Sequence, residues 1–160
     1  MKEDTMPSDL ALVGLSFGSR PRDGEDPVNQ KLAERADEIA RIWHPTCIVH
    51  QWELTRFSKR VVEHVVERKG EEFLNTHDVL LEAKVWCDKH GVKEVILVCG
   101  KFHAYRARKT AENTGFTVVD VKTISDTWDK KSTQWWTRGP FRNLLREVPA
   151  CIYFYLKGWM

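Results

Sequence analysis

Val95-Ile96-Leu97-Val98-Cys99-Gly100-Lys101-Phe102-His103-Ala104-Tyr105-Arg106-Ala107 is the stretch that decides the fold. Its first five residues are apolar at every position rather than at alternate ones. That is the pattern of a strand covered on both faces, as in a parallel sheet. Gly100-Lys101-Phe102 breaks the run. His103 then opens a helical pattern that continues to Thr114 and stops at Gly115. Strand, short loop and helix start make up one half of a β-α-β unit.

The same alternation extends in both directions. Leu10 to Leu15 reads as a first strand, followed by a loop with glycine, hydroxyls and two arginines at Ser16–Gly24. Val28 to Trp43 reads as a helix with Leu32, Ala36, Ile39 and Ala40 turned inward, and Pro45 ends it. Cys47-Ile48-Val49 opens a second strand that runs out near Glu53. Phe57 to Arg68 reads as a helix carrying Val61, Val62, Val65 and Val66, and Lys69-Gly70-Glu71-Glu72 as a turn. Thr76 is placed as N-cap of a helix from Asp78 to His90, with Gly91 just past its end. Val92 to Cys99 and Phe116 to Val121 are the third and fourth strands. Ile124 to Gly139 is a polar loop rich in tryptophan, and Phe141 to Leu156 closes the chain as a helix. The order implies a three-layer α/β domain: a mainly parallel sheet of about four or five strands, with helices on both faces. With the strands arranged 2-1-3-4, the chain reverses direction between the first and third. A crevice then opens between the Ser16–Gly24 and Gly100–His103 loops.

Bulk composition narrows the function. The 160 residues suit one domain spanning 1–160, with residues 1–8 outside its ordered part. A net charge of +2 argues against nucleic acid or an anionic membrane as partner. The N-terminus has no apolar core of the signal-peptide kind. The longest apolar run, Ala150 to Leu156, falls far short of the about 20 residues of a membrane span. A soluble, cytoplasmic protein is expected. Cys47, Cys87, Cys99 and Cys151 show no metal or redox spacing and read as free thiols. The six histidines form no ligand set, so no metal is expected. Gly14 and Gly18 do not make a GxGxxG or P-loop pattern, and no nucleophile elbow occurs.

The crevice suggests its own site residues. His103 is the candidate acid or base, because an unperturbed imidazole titrates near pH 6.5; a helix-start histidine bonded to backbone is the other reading. Arg106, three residues on, faces the same way and offers a fork to phosphate or carboxylate; a surface helix arginine is the other reading. Ser16, Gly18, Arg20 and Lys101 surround the same space, and Glu53 is placed to accept from a ribose-like hydroxyl; a solvated lysine and a solvated acid are the other readings of Lys101 and Glu53. Gln134, Trp135, Trp136 and Arg138 lie in the tryptophan segment, as a lid or a partner surface.

These residues resemble the SanA/YdcF-like family of bacterial domains. The likeness lies in Leu10 to Gly18, in Arg35 within Ala33-Glu34-Arg35-Ala36, in Asn75-Thr76-His77-Asp78, in the aromatic–His–x–x–Arg–Ala start at Phe102 to Ala107, and in Arg146-Glu147. Cys99-Gly100 stands where the family has Thr-Ser, and His50-Gln51-Trp52 where it has Ser-Gly-Gly. The resemblance implies a Rossmann-like domain with a pocket lined by Arg35, Thr76, His103, Arg106 and Glu147. It also implies a nucleotide-like ligand, S-adenosylmethionine among the candidates. The expected function is therefore binding of a nucleotide-like or phosphorylated small molecule, with His103 as acid or base. The alternative is a non-catalytic ligand-sensing or protein-interaction module.

Overall fold

The computed structural model describes residues 9–18, 25–67, 74–125 and 128–160. Residues 1–8, Arg20 and the Lys69–Glu72 turn lie outside the described residues. The elements are β1 (Leu10–Gly14), α1 (Pro27–Trp43), β2 (Cys47–Gln51), α2 (Trp52–Thr55), β3 (His64–Val66), α3 (Thr76–Lys89), β4 (Glu94–Gly100), α4 (Ala104–Asn113), β5 (Thr117–Ile124) and α5 (Pro140–Leu156). Short 3₁₀ turns occupy Lys101–His103 and Trp135–Arg138. All strand pairs are parallel, in the order β3-β2-β1-β4-β5. This is a three-layer, Rossmann-like α/β fold.

β4 lies inside the sheet between β1 and β5, and Val95 to Cys99 are completely buried. Its alternate side chains feed two separate cores. Val95, Leu97 and Cys99 join Ala11, Val13, Val79, Leu80, Ala83 and Ala107 against α3 and α4. Ile96 and Val98 join Leu10, Leu12, Leu32, Ala36 and Ile39 against α1. Each fully buried aliphatic side chain contributes roughly 1.5–3 kcal/mol of gross burial energy. A strand that supplies both cores therefore cannot slip by one residue without exchanging every contact.

The segment expected as a helix from Phe57 to Arg68 is corrected. It holds the edge strand β3, paired to β2 from Val49↔His64 to Gln51↔Val66. Valines are restricted at χ1 and pack well on a pleated surface. Here Val66 enters the core while Val61 stays exposed. The helix is shifted upstream to the single turn of α2, so Glu53 lies on α2 rather than at a strand end. Thr76 is also corrected. Asn75 is the N-cap of α3, its side chain accepting from the Asp78 N–H at 3.0 Å. Thr76 is the first helical residue, and its hydroxyl is free for other use. β5 runs three residues beyond the expected Val121, pairing Ile124 with Gly100.

Gly14 marks a close approach between β1 and β2. A Cβ there would lie 2.7 Å from His50 Cδ2 and 2.8 Å from Leu54 Cδ2, and both side chains are fully buried. Gly14→Ala is expected to destabilise the fold by about 1–3 kcal/mol through overpacking. Urea denaturation measures it, and an unchanged midpoint would contradict that packing.

Candidate functional site

A cavity of about 110 Å³ opens at the carboxyl ends of β1, β2 and β4. The chain reverses direction between β1 and β4, and open α/β sheets bind ligands at that point. The β1 exit is held by three backbone donors. Leu15 N donates to Val98 O at 2.9 Å, Ser16 N to Gln51 Oε1 at 3.1 Å, and Phe17 N to Asn29 Oδ1 at 2.9 Å. Asn29 is itself fixed by Asp26, the N-cap of α1. Gly18 adopts φ +81°, which glycine takes without strain, and packs against Thr137 and Ser132. The α3 N-terminus supplies Asn75 and Thr76, and α5 supplies Arg146 and Glu147.

Arg106 is the hub. It is buried on α4, and its fork closes on Glu147 of α5: Nε to Oε2 at 2.9 Å and Nη2 to Oε1 at 2.9 Å. Nη2 also donates to His103 Nδ1 at 2.9 Å, and Nη1 donates to Thr76 Oγ1 at 2.8 Å. The guanidinium lies over the Phe154 ring, 4.8 Å from its centroid. Four of its five N–H groups are therefore committed inside the protein. The bidentate ligand grip expected of Arg106 is corrected accordingly. Its fork binds a carboxylate of this chain.

That geometry sets the protons. A guanidinium only donates, so His103 Nδ1 must accept, and the neutral ring then carries its hydrogen on Nε2. Nε2 lies 3.3 Å from Thr76 Oγ1. Burial, followed by the Arg106 charge, holds the His103 pKa below its ordinary value against the opposing pull of Glu147. Burial pushes the Glu147 carboxyl up. The neighbouring His103 and the two bonds from Arg106 outweigh this and hold it well below the usual carboxylate range. Thr76, His103 and Glu147 stand in the order of a hydroxyl–imidazole–carboxylate relay. Yet Glu147 Oε1 is 3.8 Å from Nδ1 while Arg106 is at 2.9 Å. The place that a relay carboxylate takes is filled by a cation. Thr76 Oγ1 thus accepts from both Arg106 and His103, which leaves its own O–H hydrogen to donate into the cavity.

Arg146 is the cation left to the cavity. Among the described residues it has no carboxylate within ion-pair distance, and it lies over the Trp136 ring at 5.5 Å. Against the pull of the neighbouring Glu147 carboxylate, burial and the Arg106 charge both lower its pKa. Each effect marks a place where an added anion would be favoured.

The structure brings Ser16, Gly18, Glu53, Thr76, His103, Arg106, Gln134, Trp136 and Glu147 to one cavity. It leaves Lys101, Trp135 and Arg138 outside the lining. Lys101 is exposed on its 3₁₀ turn. Trp135 is half exposed and meets Trp136 edge-on. Arg138 turns back to donate to Ser132 O at 2.9 Å. Arg35 is also outside. It pairs with Glu38 on α1, nine residues past Asp26, or about 13 Å along the helix from the end that faces the cavity. Arg20 lies outside the described residues. Gln51, Trp52 and Asn75 line the cavity without having been singled out as site residues. Their sequence signals were adjacency to a strand end or a helix start and their place in the segments compared with the SanA/YdcF-like family. No group of histidine, cysteine or acidic side chains suited to a metal occurs among the described residues, and no helix there is long and apolar enough to cross a membrane. Compared with protein-family models, curated proteins and solved structures, the chain finds no match.

Proposed function

We propose that this cavity binds the phosphoryl group of a small molecule, as the nucleotide-like ligands of SanA/YdcF-like proteins would require. The observation that carries the reading is Arg146: a partly buried guanidinium, beside a second one, with no carboxylate of its own among the described residues. The Thr76 hydroxyl and the first turn of α3 add donors on the same wall. Glu53, on the α2 wall of the cavity, would be the acceptor for a sugar hydroxyl.

Size chooses among ligands. Drug-sized and cofactor sites run to roughly 300–1,000 Å³. A volume of about 110 Å³ takes a phosphate-sized group and leaves the rest of a nucleotide in the open mouth. S-adenosylmethionine is the weaker candidate, because its sulfonium would be brought towards two guanidiniums. His103 favours binding over acid–base chemistry, since its lone pair is occupied by Arg106 and its pKa is depressed. A ligand-sensing role fits this geometry better than turnover.

Calorimetry with inorganic phosphate, AMP and S-adenosylmethionine tests the proposal. AMP and phosphate should bind, and Arg146→Ala should weaken both by about 10–150-fold, the 1.5–3 kcal/mol of a charged hydrogen bond. Heat from S-adenosylmethionine alone, or an Arg146→Ala protein that binds AMP unchanged, would overturn it.

A further inference from the structure

α5 presents two faces. Asn143, Glu147, Ala150 and Phe154 are buried against the domain. On the opposite side Phe141, Leu144, Leu145, Val148, Ile152, Tyr155 and Leu156 are each between 50 and 78% exposed. At 100° per residue these seven, with the half-buried Cys151 at the edge, cover an arc of about 140° that holds no charged residue. An aromatic side chain offers roughly 150–250 Å², and an aliphatic one less. Seven that are half or more exposed leave on the order of 700 Å² of apolar surface in one patch, more than a monomeric protein ordinarily shows to water.

We infer that α5 pairs with α5 of a second copy of this chain, antiparallel about a two-fold axis at Val148. The apolar positions are arranged symmetrically about that residue. Three residues either side stand Leu145 and Cys151, four either side Leu144 and Ile152, and seven either side Phe141 and Tyr155. A two-fold axis through Val148 therefore sets each member against its counterpart in the other copy, as an isologous interface requires. The 3-4-7 spacing is that of helices packed side by side. The available area falls within the roughly 600–1,000 Å² that each partner gives to a standard interface. The charge-free arc lets two identical surfaces meet without burying like charges. A lipid surface fits less well, because the cationic edge that holds an amphipathic helix on an anionic membrane is reduced to Arg142 and Lys157. The pairing would join two cavities through one helix pair, since Arg146 and Glu147 lie on α5.

Sedimentation of the full chain at micromolar concentration should give twice 18.7 kDa. Val148→Glu should give the monomer mass with an unchanged far-UV spectrum. A register test runs alongside: Leu145→Cys should cross-link through the native Cys151 of the second copy under mild oxidation, while Arg142→Cys, off the stripe, should not. A wild-type monomer, a dimer that survives Val148→Glu, cross-linking by Arg142→Cys in place of Leu145→Cys, or a monomer that co-sediments with phosphatidylserine vesicles would each overturn the inference.

Discussion

Arg106→Ala is expected to lower the unfolding free energy by about 3–5 kcal/mol, the cost of removing one partner from a buried ion pair. The substitution leaves the Glu147 carboxylate buried without its cation, frees His103 Nδ1 and one acceptor site on Thr76, and removes the charge over Phe154. Domains of ordinary stability hold 5–15 kcal/mol in all. One side chain thus accounts for much of the margin, and equilibrium urea denaturation will show it directly. Arg106→Lys keeps the charge but not the fork, so it should recover only part of the loss. Replacing both partners, Arg106→Met with Glu147→Leu, should recover most of it, because no charge is then left buried alone. A second readout separates this network from packing. Without Arg106 the His103 ring loses a cationic neighbour and keeps Glu147, so its pKa should rise in an NMR titration. A loss of less than about 1 kcal/mol, or an unmoved His103, would show that Arg106 is not the hub.

Much of this fold was legible in the chain because burial on both faces writes itself as an unbroken apolar run. Val95 to Cys99 could be little else, and Gly100 and Gly115 fix where the following helix begins and ends. The reversal between β1 and β4 followed from ordinary winding, and with it the end of the sheet where the cavity lies. What stayed hidden was decided by partners distant in the chain. The valines at 61, 62, 65 and 66 share one face at helical spacing, so the local pattern favours a helix, and only the exposed edge of β2 makes His64, Val65 and Val66 a strand. Asn75 and Thr76 are both good caps, so local chemistry could not say which would cap α3 and which would face the cavity. Arg106 and Arg146 look alike in sequence. Their roles part because Glu147, 41 residues from Arg106, packs against α4 and takes its fork. Arg35 had only a family resemblance to place it, and the inward stripe of α1 carries Leu32 and Ala36 instead.

Stability should also fall by about 3 kcal/mol as the pH drops from 6.5 to 4, and His50 is the main reason. Its side chain is fully buried on β2, opposite Gly14, whose missing Cβ leaves the room the ring fills. Neither ring nitrogen has a hydrogen-bond partner among the described residues. Burial pushes its pKa down to about 4, with the Asp37 carboxylate pulling the other way. In the unfolded chain the same imidazole titrates near 6.5. Between those two values the unfolded state holds a proton that the folded state refuses, so the unfolding free energy declines with falling pH. The interval is about 2.5 pH units, and each is worth about 1.4 kcal/mol. Above pH 6.5 the effect vanishes, and below 4 it grows no further. His103, also held below its ordinary value, adds a contribution of the same sign. His50→Leu separates the two. At neutral pH the variant should be at least as stable as the parent, because it removes two buried unpartnered nitrogens that each cost about 1–3 kcal/mol. Near pH 4 its advantage should widen by about 3 kcal/mol, leaving the His103 share of the slope and, close to pH 4, that of Glu147, whose carboxyl the fold holds low. Denaturation curves for the two proteins that run parallel across this window would place the acid sensitivity elsewhere.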